Sequence, residues 1–408
     1  MQAEKIRILQ YNLTQYTNQY AGCSFDLFQK DSCLRQIFTY AKPDIIAVNE
    51  IGANVRYAQR ILNNCLNING VHKWAMGALT EFSSENSEGL ANMVFYNSEK
   101  LQLHSSQHVA NTVRDFNIYK LYLKTPQLIL GDTNFLVVVV AHLKAGRTFE
   151  DATLRTSQVE CLIEYLEQYD LMDNYILCGD LNIYSATEQA FQLLINGANS
   201  TVCFHDPIAV YADWHNNARY AYLHTQSTHK TQGNCFAMGG LNDRFDFILV
   251  SNAILNGSKD IRALPNSYCV LGQDGNHFCE DIISLKNELF PRNLLEALYD
   301  MSDHLPVLLD LEISKKTEKY NWSAIKDIDI KIFEPADRQL EFTIVDRRKH
   351  TYTMELLTIF GQIVYKKDIQ TEIGKNTFSI DMHNLPNGIY CLRLSSEGVY
   401  TTRKIVKK

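Results

Sequence analysis

The chain has 408 residues, 46% hydrophobic and 21% charged, with a formal net charge of −7. That composition is ordinary for a globular protein, and the length points to two domains. No apolar run reaches the ~18 residues a membrane helix needs; the longest, Phe135 to Ala141, is strand-sized. Charge is uneven: residues 337–408 carry a net +4 and the remainder −11. An acidic main region argues against a long unspecific nucleic-acid footprint and leaves room for a short basic groove.

In chain order, Ile6 to Leu13 reads as a strand, Leu34 to Ala41 as a helix, Asp44 to Asn49 as a buried strand and Val55 to Leu66 as an amphipathic helix. Leu90 to Tyr96 and Ile118 to Leu123 are strands. Phe135 to His142 is valine on both faces, a central strand covered on both sides. Helices follow at Ala152 to Gln168 and Ala186 to Asn196, with strands at Tyr175 to Cys178, Phe245 to Val250 and Val307 to Leu311. The pattern predicts an α/β domain over residues 1–313, two mixed sheets face to face with helices outside.

Residues 314–335 are polar and charged and read as a linker. Beyond them only short strands appear: Leu340 to Val345, Tyr352 to Ile359, Gln362 to Ile369, Thr377 to Ile380, Gly388 to Leu394 and Thr401 to Val406. Residues 336–408 therefore read as a small all-β sandwich.

Ten cysteines permit disulfides in an oxidising compartment. Cys23/Cys33 and Cys269/Cys279 are spaced to close short loops. The alternative is buried thiols, with Cys178 in a strand and Cys161 on a helix face.

Polar residues cluster at the ends of the apolar strands: Asn12, Glu50, His142, Asp180 and Asn182, Asp246, then Asp303 and His304. Strand ends of a layered fold converge on one edge. Each residue alone is more often a turn, a cap or a structural histidine; six in order are not.

Gly179-Asp-Leu-Asn and Ser302-Asp-His-Leu-Pro-Val resemble two motifs of the endonuclease/exonuclease/phosphatase superfamily, over about residues 5–313. The resemblance implies a four-layer α/β/β/α sandwich of the DNase I-like kind and a metal-dependent phosphodiesterase. It implies Mg²⁺ (or Mn²⁺ or Ca²⁺) held by Glu50, with an Asn12 carbonyl oxygen and the Asp303 carboxylate. Asp180 then orients or deprotonates the attacking water, Asn182 holds a phosphate oxygen, His142 and His304 donate to the phosphoryl group, and Asp246 pairs with His304. Arg114 stands where DNase I-like members carry a phosphate-contacting arginine. A departure is that the glutamate such enzymes place beside the residue matching His142 is missing; Asn92 is the inward polar candidate on that strand.

The substrate expected is nucleic acid, DNA or RNA. The alternatives are a sphingomyelinase-like lipid ester, which needs an exposed apolar or aromatic hairpin, and a catalytically silent surface binder. The polar stretch from Tyr222 to Asp246 reads as a substrate-contacting loop; its His224 and His229 lack the spacing to any cysteine of a convincing zinc site.

Leu357 to Tyr365, Leu385-Pro-Asn-Gly-Ile-Tyr and the basic end Thr402 to Lys407 resemble the type A sorting domain of type IX secretion, with its usual Pro-Asn-Pro opening reduced to Glu334-Pro-Ala. This resemblance implies a partner in the secretion machinery and a secreted or cell-surface protein. A monomer is expected.

Overall fold

The computed structural model describes residues 4–78, 89–109, 113–125, 133–168, 173–197, 202–231, 235–314, 329–333, 338–346, 349–396 and 399–407. They form two units, one ending at 314 and the other starting at 329.

The first unit runs β1 (Glu4–Tyr16), α1 (Leu27–Ala41), β2 (Ile45–Gly52), α2 (Val55–Ile61) with a π-helical turn (Leu62–Leu66), β3 (Trp74–Met76), β4 (Leu90–Asn97), β5 (Leu101–Val109), β6 (Phe116–Leu123), β7 (Phe135–His142), α3 (Phe149–Glu167), β8 (Tyr175–Asp180), α4 (Gln189–Asn196) and β9 (Phe204–His205). After a 3₁₀ turn (Ala218–Leu223) come β10 (Asp246–Ser251), α5 (Asn252–Asn256), β11 (Ile261–Ala263), β12 (Cys269–Val270), α6 (Arg292–Met301) and β13 (Val307–Ile313).

Two sheets result. One is ordered β11-β13-β1-β2-β4-β3, with β12 also on β13; the other is ordered β5-β6-β7-β8-β10-β9. Their facing sides share one apolar core, in which Ile8, Ala47 and Val94 meet Val138, Val140, Ile176 and Ile248. Val137 and Val139 point the other way and join Leu162, Leu166, Phe191 and Leu194 of α3 and α4 in a separate core. Opposed burial of alternate residues is why β7 reads as an unbroken valine run. On the far side of the first sheet, α1 and α6 contribute Leu34, Ile37, Leu294 and Leu298. The layers are thus α/β/β/α, as expected.

Local chemistry sets the element ends. Asp26 caps α1 by accepting from the Phe28 N–H at 2.8 Å, and α1 stops at Lys42, whose φ of +50° is left-handed, just before Pro43. The helix expected from Ala152 begins earlier, at Phe149. Thr148 and Asp151 form a reciprocal capping box there.

The second unit has β14 (Asp329–Phe333), β15 (Gln339–Asp346), β16 (His350–Thr358), β17 (Ile363–Thr371), β18 (Gly374–Asp381), β19 (Gly388–Ser396) and β20 (Val399–Lys407). Its sheets are β14-β15-β18 and β17-β16-β19-β20, antiparallel throughout, around a core of Leu340, Phe342, Tyr352, Leu356, Ile380, Leu392 and Ile405. The Tyr390 hydroxyl donates to the Pro386 carbonyl at 2.6 Å, closing the Leu-Pro-Asn-Gly turn. One expectation is corrected. Asp329–Phe333 is a strand paired with β15 and not linker, because alternate Ile330 and Ile332 supply an apolar face. The remainder of the expected linker from 315, and the Glu334-Pro-Ala opening, lie outside the described residues.

Candidate active site

The site is built by strand register. β1 and β2 run parallel with Asn12 beside Asn49. β7 and β8 run parallel with His142 beside Asp180, and β10 returns antiparallel with Asp246 beside Asp180. The C-terminal ends of four strands and the start of a fifth therefore meet. Gly179 makes this possible: its φ is +149°, and a Cβ there would sit 1.8 Å from the Ala141 carbonyl oxygen. The glycine of Gly-Asp-Leu-Asn is thus required by the close approach of β7 and β8.

Glu50, His142 and Asp180 converge. His142 Nε2 lies 3.4 Å from Asp180 Oδ2 and 3.7 Å from Glu50 Oε1. The three offer ligand atoms all within 4.8 Å of one another. Asn12 Nδ2 donates to Glu50 Oε1 at 3.1 Å and to Asp180 Oδ2 at 3.0 Å. His304 Nδ1 is 2.7 Å from Asp246 Oδ2, and its Nε2 is 3.7 Å from Asp180 Oδ2. Asn182, left-handed at φ +49°, donates its N–H to Asp180 Oδ1 at 3.0 Å.

Electrostatics separates the two histidines. Burial, with Arg114 and His304 nearby, holds His142 well below the usual imidazole range, so it is neutral. Burial would lower His304 too, but Asp246 and Asp180 outweigh it and hold it well above that range. Burial pushes the Asp180 carboxyl up to about 7; His304 opposes this, while Asp246 and Glu50 add to it. Four carboxylates gathered around one cationic histidine and the Arg114 guanidinium are short of positive charge. A divalent cation fits that donor set and would correct the deficit.

Two expected metal ligands are placed otherwise. The Asn12 side-chain oxygen accepts from the Thr14 N–H at 2.9 Å, so its amide nitrogen, not its oxygen, faces the carboxylates. Asp303 is already engaged, by the Thr14 hydroxyl, by the Ala237 N–H at 2.8 Å and by Gln226 Nε2 at 3.4 Å. Arg114 is in the site: its guanidinium donates to the Leu143 carbonyl at 2.7 Å and is felt by both His142 and Asp180. Asn92 lies behind it. Its amide belongs to a buried chain in which Gln10 donates to Asn49, Asn49 to Asn92 and Asn92 to Asn117.

Sequence reasoning missed two residues. Asn49 accepts the Asp180 N–H at 3.0 Å and donates to the Ala141 carbonyl at 2.9 Å, tying three strands under the centre. Gln226 lies with its amide 2.7 Å from His304 Nε2; it falls inside the stretch read as substrate-contacting, which was the available signal. His224 bridges two carbonyls, Leu241 at 3.2 Å and Trp214 at 2.8 Å.

The expected disulfides are corrected. Cys23 is bonded to Cys235, and Cys33, Cys269 and Cys279 are free thiols. The bond spans 212 residues, and no spacing in sequence reveals a pairing that distant.

A layered sandwich with carboxylates and histidines at its converging strand ends defines a hydrolytic centre for phosphoesters. The chain belongs to the endonuclease/exonuclease/phosphatase family, whose model matches residues 26–304, and it is a hydrolase acting on phosphoester bonds. A secretion system C-terminal sorting domain matches residues 334–408. That type IX sorting domain marks a secreted or cell-surface protein, and no helix among the described residues is long and apolar enough to cross a membrane.

Solved structures resemble the chain at low identity. The human Nocturnin catalytic domain with bound sulfate is 15% identical, covering 76% of this chain and 95% of that one, with a TM-score of 0.49. An endonuclease/exonuclease/phosphatase family protein from Bacteroides thetaiotaomicron is 13% identical over 77% and 100%, with a TM-score of 0.46. D. rerio TDP2 complexed with a single-strand DNA product is 13% identical over 75% and 98%, with a TM-score of 0.47. No curated protein matches the sequence.

Proposed function

We propose that the protein is an extracellular, Mg²⁺-dependent phosphodiesterase that hydrolyses nucleic acid. The observation that carries the chemistry is the convergence of Glu50, His142, Asp180 and the Asp246–His304 pair at one set of strand ends. The observation that favours a nucleic-acid substrate is the rim beside His142. There Arg114 and Arg147 supply positive charge on an otherwise acidic unit, and Phe149, 83% exposed, supplies a ring for stacking.

Glu50 is the residue that would hold the ion, whose contribution would be to neutralise charge on the phosphoryl oxygens. Glu50 is also fixed by the Gln15 N–H, which donates to Oε2 at 3.0 Å. Asp180, with its carboxyl near neutral range, takes the proton of the attacking water. His304 meets the phosphoryl group as a cation held by Asp246. His142 meets it as a neutral donor. Asn182, locked against Asp180, donates to a phosphoryl oxygen.

The test is nicking of supercoiled plasmid with Mg²⁺ against EDTA, wild type beside Asp180→Ala. Metal-dependent nicking lost in the variant is expected. A folded protein that binds Mg²⁺ and does not nick would overturn the nucleic-acid substrate and point to a lipid or small phosphoester.

A further inference from the structure

A cleft of about 330 Å³ lies beside the centre, lined by Ser24, Phe25, Asp26, Gln29, Lys30, His229, Phe236, Tyr299 and Asp300. That is the size of a small ligand site. It shares a wall with the centre: Thr228 N–H donates to the Asp303 carbonyl at 3.0 Å, and Ala237 N–H donates to the Asp303 carboxylate at 2.8 Å. The Cys23–Cys235 disulfide joins the two segments that carry Phe25 and Phe236.

His229 is 3% exposed and stacked between two rings, Phe236 at 4.3 Å and Tyr299 at 3.8 Å between centroids. Its proton can be placed. The Thr228 hydroxyl donates to the Ser302 carbonyl at 2.6 Å, so it has no proton left for His229 Nδ1, 2.9 Å away. Nδ1 must therefore carry the hydrogen and donate to Thr228. Burial keeps the ring neutral, which leaves a lone pair on Nε2, an atom with no hydrogen-bond partner among the described residues.

The other polar groups agree in sense. Asp26 and Asp300 are exposed carboxylates on the same cleft. The one basic residue on the cleft, Lys30, is spent: burial lowers its amine to about 7, and it donates to the Leu13 carbonyl at 2.7 Å and the Thr14 carbonyl at 2.6 Å. It also sits 4.1 Å from the Phe25 ring centroid. The cleft is rich in acceptors and walled by rings.

We propose that this cleft binds the uncharged, hydroxyl-bearing ring attached to the scissile phosphoester, a pentose of a nucleoside or a hexose. Hydroxyl groups donate to His229 Nε2, Asp300 and Asp26, and the ring's C–H face lies against the aromatic wall. The assignment deepens the phosphoesterase reading and rests on it for the kinetic arm of the test alone.

Calorimetric titration of the full chain with uridine and with methyl glucoside tests it directly. At least one is expected to bind in the millimolar range, with Kd raised about tenfold in Asp300→Asn and in Asp26→Asn, and with the thermal midpoint of both variants unchanged. The probe that binds identifies the ring. On an ester of that ring KM rises by the same factor with kcat held, while KM for bis(p-nitrophenyl) phosphate stays put. Failure of both probes at about tenfold higher concentration, binding of choline in their place, or equal KM changes on both esters would overturn the proposal. Binding without any Mg²⁺-dependent hydrolysis would instead sink the phosphoesterase mechanism and leave the cleft's assignment standing.

Discussion

His304 Nδ1 lies 2.7 Å from Asp246 Oδ2, both side chains fully enclosed, on segments 58 residues apart. A charged hydrogen bond in so dry a place is strong. It fixes which nitrogen of His304 faces Asp246 and keeps the ring cationic. The second oxygen of Asp246 has no hydrogen-bond partner among the described residues.

Asp246→Asn removes that charge. The rate is expected to fall about 10²–10⁴-fold, the range for a lost acid–base partner. Because Asp246 raises His304, the wild type loses activity only as pH rises through the elevated folded value; in the variant that loss moves to lower pH. A pH–rate profile measures both. An unmoved alkaline limb would remove His304 from the protonated role.

Asp180→Asn keeps shape and removes the basic oxygen. A loss of several orders of magnitude in kcat is expected with the thermal midpoint unchanged. A loss smaller than about tenfold, roughly 1.4 kcal/mol, would refute the role proposed for it. Stripping divalent ions should abolish the same activity, and Mg²⁺ should restore it.

Asn49→Ala strands the Asp180 N–H and the Ala141 carbonyl in a buried layer. Each unsatisfied group costs about 1–3 kcal/mol, so urea unfolding should show a combined loss of roughly 2–6 kcal/mol. Activity should fall as well, since Asp180 loses its backbone anchor. Asn92→Ala, one step further from the centre, should destabilise with less effect on rate.

Reduction of Cys23–Cys235, or Cys23→Ser with Cys235→Ser, should lower stability by roughly 2–5 kcal/mol, as loss of a native crosslink typically does. Denaturant midpoints with and without reductant read this out.

Removing residues 334–408 should leave kcat and KM on plasmid unchanged, since every residue proposed for catalysis lies before 305. In the producing cell the truncated protein should be retained instead of exported. Fractionation and blotting decide it.

Strand cores were legible because period and composition report burial directly. The valine run of β7 is required by two cores at once, and Asp180 and His304 stand out because they interrupt apolar stretches. Weaker local signals hid other elements. β5 is partly exposed and polar, and α6 begins after a loop of charged residues without a side-chain cap. Asn49 looked like part of a buried strand because its bonds all go to other strands.

The sequence by itself determined the two-part organisation, the layered α/β class and the six strand-end positions, since each depends on short-range pattern or on a motif. Only the tertiary structure decided that Cys23 meets Cys235 and that the Asn12 amide presents nitrogen to Glu50 and Asp180. It alone decided that burial lowers His142 while Asp246 and Asp180 raise His304. Those are properties of what lies within a few ångströms in space, and residues as far apart as 23 and 235 become neighbours only when the chain has folded.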